Sequence, residues 1–250
     1  VKHTLKTLVI LSATSLCAGN ALAEKQEINT TTQSFAVKLG ATRVIYNPAS
    51  SGATVSIENP QDYPMLVQSK VLEEDKTTAS SFVVTPPLFR LDGKQQSRVR
   101  VVRTGGEMPA DKEQLNWLCI TGIPPKADDA WAQDGKGKKP DRVSLNVQMS
   151  ISSCIKLLVR PSSVKGEPSE SAGSMTWSHE AGKLVAKNPT PFYQSLNELM
   201  VGGKPVKNLD YVPPFGQRSF EIPAGAAGEV QWSVVTDFGG KSRAFTASLK

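Results

Sequence analysis

The sequence predicts an all-β protein built as two β-sandwich domains. Helical periodicity is almost absent, and short β-rich runs recur between Gly, Pro, Asn and Ser. A polar break beginning at Arg160-Pro161-Ser162-Ser163 separates a longer series of runs from a shorter one. The first series comprises 35–39, 42–46, 54–58, 66–72, 82–85, 99–103, 116–121 and 143–159, enough strands for an antiparallel sandwich. The second comprises 176–177, 184–187, 193–200, 218–222, 231–236 and 244–249, a smaller β domain. No repeat of fixed period and no low-complexity tract interrupts them.

Three segments follow: 1–23, 24–160 and 161–250. The first is expected to be a secretory signal peptide. Lys2, His3 and Lys6 precede a mostly apolar stretch at 8–18, and Ala21-Leu22-Ala23 is a small-x-small cleavage pattern. The apolar stretch is shorter than the roughly 20 residues a membrane-spanning helix needs, and no later stretch approaches that length. With Lys2 and Lys6 removed, the net charge of +6 falls to about +4, too small an excess to argue for nucleic acid. The basic run at 135–139 reads as a solvated loop rather than a phosphate-contact patch.

Cys17 leaves with the signal, so Cys119 and Cys154 remain. In an exported chain they read as one disulfide, with two buried free thiols as the alternative. Such a bond would close a loop of roughly 36 residues, for which chain entropy gives a stabilisation of about 4 kcal/mol.

The run at 143–159 differs from the others. Val143, Leu145, Val147, Met149 and Ile151 alternate with Ser144, Asn146, Gln148 and Ser150, strict period two over roughly 30 Å of strand. It exceeds the usual strand length of about five or six residues and follows a polar loop at 126–141. One reading is a half-buried strand on its own core. The other is an edge strand that lends its apolar row to a second chain, with backbone pairing giving affinity and alternate side chains filling pockets. Five such side chains would contribute roughly 8–15 kcal/mol gross. A bare edge of this kind invites a partner or self-association that caps it.

Several segments carry a family resemblance. Residues 108–124, MPADKEQLNWLCITGIP, resemble the signature of periplasmic pilus-assembly chaperones, with Gln114 where Ser, Thr or Arg is usual. Residues 41–47 resemble that family's first-strand motif. Residues 86–91 with 99–102 resemble its central hairpin, and 188–193 and 236–239 its second-domain landmarks. The resemblance implies two immunoglobulin-like domains set at an angle and no cofactor. It also implies a function: binding fimbrial or adhesin subunits in the periplasm by donor-strand complementation and delivering them to an outer-membrane usher.

Residue by residue, Arg43 and Lys156 match the family's two cleft cations, which anchor the subunit's C-terminal carboxylate through charge-assisted hydrogen bonds. Without the motifs they would read as ordinary surface cations. Lys156 lies five residues from Ile151, on the opposite strand parity, so a bulge or twist is expected between them. Glu113, Arg160 and Asp237 match an interdomain ionic cluster; as surface pairs they would set geometry more than stability. The long loop, the five-residue apolar row and the two cysteines flanking the loop resemble the long-loop subfamily, which serves thin adhesive fibres. Trp131 within the loop would either add a subunit contact or fold back on its domain.

An exported hydrolase is the enzyme alternative. After the signal the only histidine is His179, expected in a turn before 184–187, and no Gly-x-Ser-x-Gly motif is present. One histidine, with the two cysteines read as a disulfide, argues against a zinc site. The other alternative is an exported two-domain β-sandwich that is itself an adhesive or structural fibre component.

Overall fold

The computed structural model describes residues 29–126, 129 and 144–249. The proposed signal, Trp131, the 135–139 run and Val143 lie outside the described residues. The first domain contains β1 (Asn29–Phe35), β2 (Lys38–Leu39), β3 (Arg43–Tyr46), β4 (Ala53–Glu58), β5 (Met65–Leu72), β6 (Phe82–Thr85), β7 (Leu88–Leu91), β8 (Gln96–Arg103), β9 (Gln114–Ile123) and β10 (Ser144–Val159). After α1 (Pro168–Ser171) and a 3-10 turn at Ala172–Ser174 come β11 (Thr176–Glu180), β12 (Lys183–Lys187), β13 (Gln194–Val201), β14 (Lys204–Pro205), β15 (Tyr211–Val212), β16 (Gln217–Glu221), β17 (Glu229–Val234) and β18 (Phe245–Ser248).

The first sandwich packs the sheet β1-β10-β9-β5-β7, with β3 also paired to β10, against β2-β4-β8-β6. Period-two alternation builds its core. On β5, Met65, Val67 and Val71 are buried while Gln68 and Lys70 face water; on β8, Val99 and Val101 are buried while Arg98 and Arg100 are exposed. The second sandwich faces β11-β12-β16 with β14-β13-β17-β18, with β15 paired to β13. Its core centres on Trp177 and Trp232, 5.2 Å apart between ring centroids, with Phe245 stacked on Trp232 at 5.8 Å. The Trp232 indole N–H donates to the Ala172 carbonyl at 3.2 Å, so the 3-10 turn closes that core.

Both domains use the same corner. Asn59 is fully buried, and its amide nitrogen donates to the carbonyls of Tyr63, Leu91 and Asp92. Asn188 does the same toward Phe192, Val212 and Pro213. Each Asn precedes a proline and satisfies carbonyls that leave the sheet at a strand crossover, which a buried corner requires.

Three local expectations are corrected. His179 is not in a turn but on β11, whose pairing with β12 places the turn at Ala181-Gly182. Residues 29–35 form a strand absent from the sequence-based set, and 168–171 form a short helix inside the expected polar break.

Candidate functional site: a projecting strand and a cationic cleft

β10 runs for 16 residues and changes environment along its length. From Ile151 to Val159 it pairs antiparallel with β9 without a register shift. From Ser144 to Ser150 it extends past the end of β9, and β1 alone among the described strands pairs with it, in parallel. One backbone edge of that projecting segment therefore has no strand partner among the described residues. Leu145, Val147, Met149 and Ile151 are 53%, 37%, 44% and 36% exposed. The reading of 143–151 as a half-buried strand on its own core is thus overturned: the described apolar row has no core of its own to pack on.

The base of the strand is pinned. Cys119 and Cys154 are register partners on β9 and β10, with Cα atoms 4.0 Å apart, and they form a disulfide. The bond lies within the paired part of β10, at the fourth register pair from the end where the strand begins to project.

The parity of Lys156 is explained without a bulge. Ile155, Leu157 and Val159 turn into the first-domain core, in line with the apolar row above them. Lys156 and Leu158 therefore face the other way, toward the second domain, where Leu158 packs with Leu115, Tyr193 and Tyr211. Opposite parity is what carries Lys156 into the cleft between the domains. There its Nζ lies 2.8 Å from Ser195 Oγ and 4.9 Å from the Tyr211 ring centroid. Arg43 on β3 is its direct register partner, and one Arg43 guanidinium N–H donates to the Val235 carbonyl at 3.3 Å. Arg43 Nε is buried with no hydrogen-bond partner. Among the described residues neither cation has a carboxylate at salt-bridge distance. Burial, then the neighbouring Arg43 charge, pushes the Lys156 ammonium down to about 8, and burial also lowers Arg43. Two adjacent, partly desolvated cations with no carboxylate in direct contact among the described residues leave positive charge available to an anion.

Arg160 ties the domains together. Its Nε donates to Glu113 Oε1 at 2.8 Å, and its two terminal nitrogens donate to the two Asp237 oxygens at 2.6 and 2.8 Å. Glu113 Oε2 accepts the Tyr193 backbone N–H at 2.7 Å. The expectation of surface pairs is corrected, because the Glu113 side chain is 0% exposed and that of Asp237 12%. Burial raises the Glu113 carboxyl, opposed by the charge of Arg160.

Arg43 and Lys156 thus come together in one cleft, and Glu113, Arg160 and Asp237 in one knot beside it. Leu145, Val147, Met149 and Ile151 share one strand above them. Sequence reasoning missed Ser195 and Tyr211, which contact Lys156, and Glu74, which accepts the Tyr211 hydroxyl; they come from distant parts of the chain and no local pattern marks them.

Two family models match the chain. Residues 36–165 match the pili and flagellar-assembly chaperone, PapD N-terminal domain, and residues 170–246 the pili assembly chaperone PapD, C-terminal domain. Chaperone protein AfaB of Escherichia coli is 56% identical over 220 residues, covering 86% of this chain and 88% of that protein. Chaperone protein PsaB of Yersinia pestis is 49% identical over 245 residues, covering 92% and 90%. Among solved structures, the E. coli chaperone DraB superposes with a TM-score of 0.78 at 55% identity, covering 89% of this chain and 100% of that one. The Salmonella enterica SafB chaperone, solved in complex with SafA pilin, gives a TM-score of 0.79 at 47% identity with the same coverage.

Proposed function

This chain belongs to the pilus-assembly chaperones, whose role is assembly rather than catalysis, and we propose that it holds fimbrial or adhesin subunits in the periplasm for transfer to an outer-membrane usher. The observation that carries this is the projecting part of β10, with exposed apolar side chains on one face and an unpaired backbone edge among the described residues. A subunit with an incomplete sheet supplies what that edge lacks: a strand to pair with and a core to receive Leu145, Val147, Met149 and Ile151. Val143, by its alternation, would extend the same row.

Arg43 and Lys156 anchor the subunit's C-terminal carboxylate at the foot of the strand. Five residues separate Lys156 from Ile151, about 16 Å of strand, so the carboxylate fixes the register in which the apolar row enters the subunit. Glu113, Arg160 and Asp237 hold the second domain where Ser195 and Tyr211 can seat Lys156. Cys119–Cys154 holds the base of the projecting strand. The exposed row also offers a surface on which free copies could cap one another. The division into a leader at 1–23, a subunit-binding domain at 24–160 and a second domain at 161–250 fits this scheme. Of the described residues, no helix is long and apolar enough to cross a membrane.

The test is co-purification from periplasmic extract with the subunits encoded nearby. The wild-type chain retains a subunit, and Arg43→Ala and Lys156→Ala lose it. Equal retention by all three removes the anchor. A wild-type chain that retains nothing favours an exported two-domain fibre component instead.

A further inference from the structure

Lys156 is seated by two second-domain residues that face each other as register partners, Ser195 on β13 and Tyr211 on β15. The Tyr211 ring does not lie there unsupported. Its hydroxyl donates to Glu74 Oε1 at 2.8 Å, and the Tyr193 hydroxyl donates to Glu74 Oε2 at 3.1 Å. The two rings meet edge to face at 5.3 Å. Glu74 belongs to the first domain, in the turn that follows β5. Trp117 pins that turn: its indole N–H donates to the Glu74 carbonyl at 3.2 Å, and Lys76 lies 4.0 Å over its ring. Trp117 is in turn the register partner of Lys156. The contacts close a circuit from Lys156 to Tyr211, to Glu74, to Trp117 and back to Lys156, crossing between the domains twice.

We propose that Glu74 is a positioning residue for the carboxylate anchor: it reaches across the cleft, fixes the Tyr211 ring against Lys156, and so sets where the ammonium meets an incoming carboxylate. The proposal rests on the reading of Lys156 as that anchor. A cation is held by the face of an aromatic ring, so the grip depends on ring orientation. A phenol bonded to a carboxylate has its orientation set. Burial and the Glu74 carboxylate push the Tyr211 hydroxyl up to about 12, so it remains a donor at any physiological pH. The other charged groups acting on Lys156 are Arg43 from β3, Asp210 beside β15, Arg218 from β16 and Lys76 from the Glu74 turn. Arg218 also lies 4.3 Å over the Tyr211 ring and pairs with Asp210, so the ring is held from both the first and second domains.

The test follows the Lys156 ammonium by NMR titration of the full chain with isotope-labelled lysine side chains, without subunit. In the wild type the midpoint is expected near 8. Tyr211→Leu removes the ring and lowers the midpoint by about half a unit to one unit. Glu74→Ala releases the ring and reproduces that fall, whereas Glu74→Gln keeps an acceptor for the phenol and stays near the wild type. Tyr211→Phe, which keeps the ring and loses the hydroxyl, matches Glu74→Ala and replaces Tyr211→Leu should that variant fail to fold. The decisive comparison is the double variant: Glu74→Ala adds nothing in the Tyr211→Leu or Tyr211→Phe background. An equal shift there would mean that Glu74 acts by charge or general loosening, and would overturn the proposal. An unmoved midpoint in Glu74→Ala would do the same. Since the free chain is read, failure of the anchor itself is seen separately, as a subunit not retained by a protein whose Lys156 circuit is intact.

Discussion

Replacing Arg160 with alanine strips the cation from a knot whose other members are the buried Glu113 carboxylate and the largely shielded Asp237 carboxylate. Arg160 makes three charged hydrogen bonds, at 2.6, 2.8 and 2.8 Å. The Glu113 side chain left behind is completely shielded from solvent and keeps only the Tyr193 backbone N–H as a partner among the described residues. Removing one member of a buried, hydrogen-bonded charge set costs about 3–5 kcal/mol, because the survivor stays desolvated. The loss carries a pH signature. Burial already raises the Glu113 carboxyl above its ordinary value of 4.5, and the Arg160 charge and hydrogen bond oppose that rise. Without Arg160 the folded-state value climbs further. Between the unfolded and folded values the folded chain binds the proton that the unfolded chain does not, so stability falls as pH rises through that window. The full penalty appears above the folded value and shrinks as pH falls toward the unfolded one. Urea unfolding of wild type and Arg160→Ala, at neutral pH and at about pH 5, measures it. The reasoning is refuted by a neutral-pH difference under about 1 kcal/mol, the size of a solvent-screened pair, or by a difference that does not depend on pH.

Replacing Cys119 and Cys154 with serine lowers unfolding stability by about 2–4 kcal/mol, and reductant produces the same loss in the wild type and none in the variant. Val147→Ser leaves stability within about 0.5 kcal/mol of wild type, since the side chain is already exposed, but weakens subunit binding roughly 10- to 100-fold, read as a faster dissociation rate. Subunit binding weakens as pH rises above about 8, because a neutral Lys156 amine no longer offers charge-assisted hydrogen bonds. Over the window from about 8 to 10.5 the free chain gains stability from the same group, since its unfolded state binds the proton more tightly. Opposite slopes in binding and folding therefore identify Lys156 as the group responsible.

Much of this was legible in the amino-acid order, for definable physical reasons. Alternation on β5, β8 and β10 marked strands because a half-buried strand must alternate. The pairing of Cys119 with Cys154 followed from their being the two cysteines left in an exported chain, and the structure puts them directly opposite each other. β1 escaped because Asn-Thr-Thr-Thr-Gln-Ser presents no apolar alternation: it pairs with a projecting strand and, apart from Phe35, has little core to face. His179 was misplaced by one element because Ala181-Gly182, and not the residues around His179, takes the left-handed conformations of the turn. Parity showed that Lys156 and Ile151 face opposite ways, but what that meant depended on where the second domain stands. The Glu74 contacts were invisible for the same reason: they join positions 119 and 137 residues apart through side-chain hydroxyls, and no pattern within a strand encodes them.

The claim that β10 gives its projecting segment to another chain is tested most directly by amide hydrogen exchange, with and without a captured subunit. The account predicts that the backbone amides of 145–150 that point to the unpaired edge slow by at least about 100-fold on capture, while amides of the second-domain sheets stay as they were. Unchanged exchange over 145–150 in a chain that still holds its subunit would contradict it, placing the subunit on some other surface.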